Sequence, residues 1–337
     1  MSREDISYRE IGESSFVTTP CPKCDSGESA VIVDGVDYLH GIQGTYFVSE
    51  CTACGFWFQN PMPDEARHPS LYPPNYLPHA SVTTGPPTAA MRGLKGGVKR
   101  LIRLILSMPV IDSFARRRQK GIGLVPDVVP QGRVLEIGCS SGGRLQSLKE
   151  AGWAHLHGIE MVPAAAAKAS SLGFHVEVGR VEDILPSFPD GHFDVVITSM
   201  VVEHLCNPFQ VVNEIARKLK PGGQFLFSTI VRDSLDHRMY GKYWAGFDFP
   251  RHMVHFRLRD VQDMLAADFA EVECFFHGAP IDFVRSSSWR KKAIDRLLIF
   301  LFSSKLGIIL GLLLGLMAMT CRVSFRCRRS ASPANRE

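Results

Sequence analysis

Short apolar runs alternate with amphipathic stretches through the middle of the chain. Residues 133–137 (RVLEI), 155–160 (HLHGIE), 174–178 and 193–200 (FDVVITSM) are largely apolar on both faces, which is the pattern of strands buried inside a parallel sheet. Helical spacing follows the first of these over 145–151 and the last over 208–219, and the second helix stops at Lys220-Pro221-Gly222-Gly223 before a strand over 224–230. Regular alternation of strand and helix predicts a doubly wound α/β domain over residues 131–285. Residues 271–276 read as its sixth strand. Residues 320–327 (TCRVSFRC) alternate polar and apolar side chains, so they read as a half-buried seventh strand lying antiparallel to the sixth.

Upstream the pattern changes. Residues 31–50 place alternating apolar residues between glycine turns and predict a hairpin, and a Cys-x-x-Cys knuckle stands at each end of it, Cys21/Cys24 and Cys51/Cys54, 26 residues apart. Two knuckles supply the four thiolates that tetrahedral zinc needs, with no open position, so residues 1–63 read as a zinc-ribbon module whose metal is structural. Residues 64–130 form the connection. The proline- and tyrosine-rich part over 71–76 fits neither a regular helix nor a central strand and is expected to pack its aromatics on a neighbour. Residues 98–106 mix basic and apolar side chains, as in a membrane-surface helix or a helix that covers the next domain.

Residues 286–319 end in an apolar stretch, 297–319, interrupted by Ser303, Ser304 and Lys305. Its length suits a bilayer crossing, but basic residues flank both ends and the chain returns to its own sheet at 320–327, so a single crossing is not expected. The segment reads as a helix or helical hairpin in the membrane interface, with arginines on anionic headgroups; an internal helix pair or a dimer contact is the alternative. Residues 328–337 form a tail.

Composition narrows the class. With 45% hydrophobic and 21% charged residues the chain is globular, and a net charge of +4 offers no general basic excess, so a nucleic-acid partner is not expected. The charge is uneven: residues 92–120 carry nine Lys/Arg against Asp112, and residues 285–329 carry ten against Asp295. The polar opening MSREDISYRE is no signal peptide, so a cytoplasmic protein, associated with the inner face of the membrane, is expected. In that compartment nine cysteines read as thiols or metal ligands rather than disulfides.

The first strand of the α/β domain runs into VLEIGCSSG, a glycine-rich turn at a helix start, where backbone can approach a ligand closely. A dinucleotide turn would have glycine where Ser140 stands, and Glu136 would repel a pyrophosphate but welcome an ammonium group. Glu160 follows at the end of the next strand, 24 residues on, where a carboxylate can accept both ribose hydroxyls. VLEIGCSSG, GIE, VEDI, FDVVITSMVVEHL and LKPGG, in this order over 131–285, resemble a class I S-adenosylmethionine-dependent methyltransferase. The resemblance implies a Rossmann-like seven-stranded sheet. It also implies that Glu136, Gly138, Ser140 and Gly142 flank the methionine part of the cofactor, that Glu160 holds the ribose, that Val181, Glu182 and Asp183 sit by the adenine, and that Met200 lies near the transferred methyl. With the four cysteines, CGFWFQNPMP and the downstream residues 249–256, the chain resembles a bacterial subfamily often associated with saccharide or cell-envelope precursors.

Methyl transfer is an in-line displacement, so the protein aligns an acceptor and removes its proton. His204, at the carboxyl end of the fourth strand, is the first candidate base, with a structural histidine as the alternative. The insert 232–257 concentrates polar and aromatic side chains. Arg251 and His252 are expected to contact the acceptor and the insert's aromatics to stack on it; a lid held by its own hydrogen bonds is the alternative. The expected partner is a small molecule, sugar-containing or lipid-linked. A rival reading is a catalytically inactive adaptor that docks a partner at a membrane; a nicotinamide-dependent oxidoreductase conflicts with Glu136 and Ser140.

Overall fold

The computed structural model describes residues 16–64, 68–72, 121–129, 131–303 and 319–331, with Leu310, Leu314 and Met317. The expectations for residues 98–106, for most of the segment 71–76 and for most of the apolar stretch after Ser303 lie outside these residues.

The amino-terminal part contains β1 (Phe16–Val17), β2 (Ser29–Gly35), β3 (Tyr46–Cys51), β4 (Trp57–Gln59) and β5 (Met62–Pro63). β2 and β3 pair antiparallel, as the hairpin reading requires. The hairpin brings the knuckles together: Cys21 Sγ lies 3.6 Å from Cys54 Sγ, and Cys24 Sγ 3.6 Å from Cys51 Sγ. All four sulfurs fall within 4.8 Å of one another. Zn–S bonds of about 2.3 Å in a tetrahedron put sulfurs about 3.8 Å apart, so the donor set fits a closed zinc site.

The core follows as β6 (Arg133–Ile137), α1 (Gly143–Glu150), β7 (His155–Glu160), α2 (Pro163–Ser171), β8 (His175–Val178), α3 (Val181–Ile184), β9 (Phe193–Ser199), α4 (Pro208–Lys218), β10 (Leu219–Ile230), α5 (Leu235–Tyr240), β11 (Val254–His255), α6 (Leu258–Leu265), β12 (Phe269–Phe276), α7 (Pro280–Arg290), α8 (Ala293–Ser303) and β13 (Arg322–Arg329). Seven strands form one sheet in the order β12-β13-β10-β9-β6-β7-β8. The five from β6 to β10 are parallel, and β13 runs antiparallel between β10 and β12. Central β9 buries both faces, while edge strand β8 exposes His175 and Val178. α4 starts where the Asn207 side chain accepts the Gln210 N–H at 3.1 Å and Pro208 fills the first turn.

Three boundaries move. VEDI, which the sequence alone reads as a loop between strands, is a short helix, α3, because the Asp183 and Ile184 N–H groups both donate to the Arg180 carbonyl. Leu219 already pairs with Phe193, so β10 begins before the Pro221-Gly222 irregularity, and regular pairing resumes at Gln224. The last strand spans 322–329, so Arg328 and Arg329 belong to the sheet and not to a tail.

The ribbon is not a separate bead. β11, carried by the insert after β10, pairs with β4 and completes a four-stranded sheet ordered β11-β4-β3-β2. Phe56 packs edge-on against Phe209 of α4 and Phe256, and Phe56, Phe58 and Met62 share one buried cluster with Val196 and Phe225 of the central sheet. At the carboxyl end, Phe302 of α8 stacks on Phe283 at 4.3 Å, while Ile294, Leu297 and Phe300 are exposed on the opposite side. Among the described residues no helix is long and apolar enough to cross a membrane.

Candidate active site

A cavity of about 280 Å³ runs along the carboxyl edge of the parallel strands, the edge at which open α/β sheets bind ligands. Gly138 and Ser140 line it after β6, Glu160 after β7, Val181 and Glu182 after β8, and Met200 after β9. Gly138 sits at φ +72°, and a Cβ there would lie 2.6 Å from Val201 Cγ2, so only glycine fits. Ser140 holds a left-handed φ of +49°, which explains why glycine is the expected residue at that position. Glu160 is buried; its Oε2 accepts the Ser140 N–H at 2.8 Å and its Oε1 the Val162 N–H at 2.8 Å. Each oxygen keeps a further lone pair, so the carboxylate both shapes the turn and remains able to accept hydroxyls.

Three of the expected cofactor residues stand back from the cavity wall. Glu136 is buried behind the turn, where desolvation pushes its carboxyl up to about 8 although Arg144 Nε, 3.1 Å from Oε1, opposes the rise. Its Oε2 has no hydrogen-bond partner among the described residues. Gly142, at φ +82°, lets α1 pack against Ala169, and Asp183 lies beyond the lining residues, 3.9 Å from Arg180.

The other half of the cavity is built by the insert and by residues remote in sequence. His204 lines it, and His204 Nδ1 lies 3.0 Å from the Arg251 carbonyl and 3.0 Å from the Tyr72 hydroxyl. A carbonyl only accepts, so Nδ1 carries the hydrogen and the neutral ring keeps its lone pair on Nε2. Burial, reinforced by neighbouring His252, holds the His204 pKa well below the ordinary value of 6.5. His252 packs T-shaped on His204 at 4.6 Å and donates through Nδ1 to the Gly246 carbonyl at 2.8 Å. Beneath them Glu203 is fully buried, protonation is favoured by that burial, and its Oε2 accepts the Thr229 hydroxyl at 2.9 Å. Glu203, His204 and His252 offer ligand-type atoms within 4.8 Å of one another. With the carboxyl favoured in its neutral form and both Nδ1 atoms occupied, the cluster is suited to holding and moving protons.

Arg251 does not line the cavity. Its guanidinium is fully buried between Asp37, at 2.8 Å, and Asp248, at 2.7 Å. Burial opposes ionisation of Asp248, but the Arg251 charge outweighs it and holds that carboxyl at about 2. Arg251 therefore braces the β2–β3 loop against the insert, and only its carbonyl reaches the site, through His204. Trp244, expected to stack on acceptor, is likewise buried: its Nε1–H donates to Asp236 at 2.9 Å and its ring packs on Phe247. Tyr72, Asp248, Arg285 and Arg322 complete this half. Of these Tyr72 had a local signal, in the aromatic, proline-rich segment expected to pack on a neighbour, and Asp248 lay in the polar insert 232–257; Arg285 and Arg322 had none.

Residues 109–270 match the family described as "Methyltransferase domain". The matched residues form a methyltransferase domain. Among curated proteins it is similar to the ubiquinone biosynthesis O-methyltransferase of Klebsiella pneumoniae, 32% identical over 142 residues that make up 40% of this chain and 55% of that protein. The Pectobacterium atrosepticum protein of the same name is 34% identical over 107 residues, 30% of this chain and 44% of its own. The chain thus spans about half the length of these relatives. A solved SAM-dependent methyltransferase from Archaeoglobus fulgidus is 19% identical, with 68% of this chain and 94% of that chain covered at a TM-score of 0.43. The matched residues of the methyltransferase domain contain the whole parallel part of the sheet and the insert, but neither the ribbon nor α7, α8 and β13.

Proposed function

We propose that the chain transfers a methyl group from S-adenosylmethionine to a hydroxyl of a small-molecule acceptor, a saccharide or other cell-envelope precursor. The observation that carries this reading is the single cavity with Glu160 at one end and His204, its tautomer set by the Arg251 carbonyl, at the other. When bound, S-adenosylmethionine supplies an electrophilic methyl group on a sulfonium. Glu160 would hold the ribose, the Gly138–Ser140 turn the methionine part, and Val181 and Glu182 the adenine. Nε2 of His204 takes the proton from the acceptor hydroxyl, a step required because a neutral hydroxyl is a weak nucleophile. The buried insert excludes water from this end. Cys21, Cys24, Cys51 and Cys54 would hold a zinc ion with a structural role.

The test is to incubate the purified protein with methyl-labelled S-adenosylmethionine and an extract of the source cells, and to count label in aqueous, lipid-extractable and macromolecular fractions. Label is expected in one of the two small-molecule fractions. It should fall at least tenfold for Glu160→Gln, together with S-adenosylhomocysteine affinity in calorimetry. Label in the lipid fraction would give exposed Ile294, Leu297 and Phe300 a membrane to face. Label confined to macromolecules, or none, would overturn the reading.

A further inference from the structure

The acceptor half of the cavity carries a guanidinium with no hydrogen-bond or ion-pair partner among the described residues, although the Asp282 carboxylate is near enough to feel its charge. Arg285 of α7 and Arg322 at the start of β13 both line it. Arg322 is paired: Nε and Nη2 lie 2.7 and 2.9 Å from the two oxygens of Asp282, whose carboxyl stays ionised because the Arg322 charge outweighs burial. Arg285 makes no hydrogen bond or ion pair through its guanidinium with any described residue. The helix that presents it is nonetheless fixed in place. α7 is anchored on either side of it by buried Phe283, Ser286 and Ser287; Ser286 Oγ accepts the Ala245 N–H at 2.9 Å, and the Tyr240 hydroxyl is 2.7 Å from Ser287 Oγ.

Position separates this charge from the cofactor. Along the sheet, β13 stands four strand spacings from β7, which carries Glu160. At about 4.8 Å per spacing that is about 19 Å. A cofactor held by Glu160 and the Gly138–Ser140 turn would lie over β7, β6 and β9 with its methyl toward Met200, which leaves the groups over β10 and β13 to the acceptor. The acceptor end is also polarised. Asp248, ionised and sharing Arg251 with Asp37, lies beside His204 and His252, whereas the opposite corner presents the two guanidiniums of Arg285 and Arg322 with Asp282 paired to the second of them and Asp236 behind Cys321. An acceptor with a hydroxyl turned to His204 and an anion turned to α7 matches both corners.

We propose that the acceptor is an anion, with a carboxylate or phosphate group held by Arg285, which makes Arg285 a specificity-determining residue; this rests on the methyl-transfer reading above. The labelled product of the extract reaction is applied to an anion exchanger at neutral pH, before and after phosphatase treatment, for wild type, Arg285→Gln and Arg285→Lys. Retained label is expected; loss of retention after phosphatase identifies a phosphate ester, and retention that survives phosphatase but vanishes at pH 2 identifies a carboxylate. Removing one charge-assisted contact should cut labelling by R285Q at limiting extract roughly ten- to hundredfold, with R285K between. Melting temperature and S-adenosylhomocysteine affinity should not change. Label that passes through unretained, or equal labelling by wild type and R285Q, overturns the inference alone. Absence of any labelled product with the wild type overturns the methyl-transfer reading and this inference with it.

Discussion

His204 shows how much a single hydrogen bond can decide. The Arg251 carbonyl forces the hydrogen onto Nδ1, and burial beside His252 keeps the ring neutral, so a base is ready at any pH above a pKa well below 6.5. The base is the unprotonated form, which is lost only as pH falls through that depressed pKa. kcat/KM should therefore stay level as pH is lowered from 8 to 6.5 and decline only below that, and a decline centred near 7.5 would point to another group. His204→Asn keeps a side-chain N–H for the Arg251 carbonyl but has no basic nitrogen. It should lower kcat by roughly 10²–10⁴ with S-adenosylhomocysteine affinity retained, whereas a merely structural histidine would leave kcat near wild type in this variant.

Between elements, the decisive contact is the buried bridge from the β2–β3 loop to the insert. Asp37 and Arg251 are 214 residues apart in sequence, both side chains are wholly buried, and Asp37 also accepts the N–H groups of Leu39, His40 and Ile42. Removing one partner from a buried pair costs about 3–5 kcal/mol, because the other charge is left uncompensated. Asp37→Asn should lower stability by an amount near the bottom of that range, since Asp248 remains on Arg251. The pH dependence has a definite sign. The Asp37 and Asp248 carboxyls are held below their ordinary values, Asp248 at about 2, so the bridge stabilises fully above about pH 4 and loses that contribution as pH falls toward 2. In urea titrations the gap between wild type and Asp37→Asn should be wide at pH 7 and narrow at pH 3; an equal gap at both would mean the ionised bridge is not its source.

In the whole molecule, ribbon and methyltransferase domain share one core, and the ribbon's sheet is completed by β11 from the insert that carries Asp248, Arg251 and His252. Loss of the zinc site should therefore disturb the acceptor half while sparing the cofactor half, which stands on β6, β7 and β8. Cys51→Ser is expected to abolish stoichiometric zinc in elemental analysis, to bind S-adenosylhomocysteine as wild type does, and to transfer methyl at under a tenth of the wild-type rate. Full transfer by zinc-free protein would show that the ribbon does not support the acceptor half.

What could be read along the chain was what lies within one strand and its turn. The doubly wound sheet follows from apolar runs spaced by helices, because a parallel strand buried on both faces has to be apolar throughout. The placement of Gly138, Ser140 and Glu160 at one end of the cavity follows from VLEIGCSSG and GIE, because the turn geometry and the carboxylate are local to consecutive strand ends. The four cysteines are legible for the same reason: each knuckle is a single tight turn. The acceptor half obeys no such rule. Tyr72, Asp37, Arg285 and Arg322 reach it, or brace it, from four separate segments, and only the packing of the ribbon on the insert and the return of β13 into the sheet bring them to one edge. The same packing turned Arg251 and Trp244, conspicuous in the sequence for their chemistry, into buried supports. Their role was set by which partner reached them first in space, Asp37 for the arginine and Asp236 for the indole, and a buried charge or N–H must be satisfied wherever the fold supplies a partner.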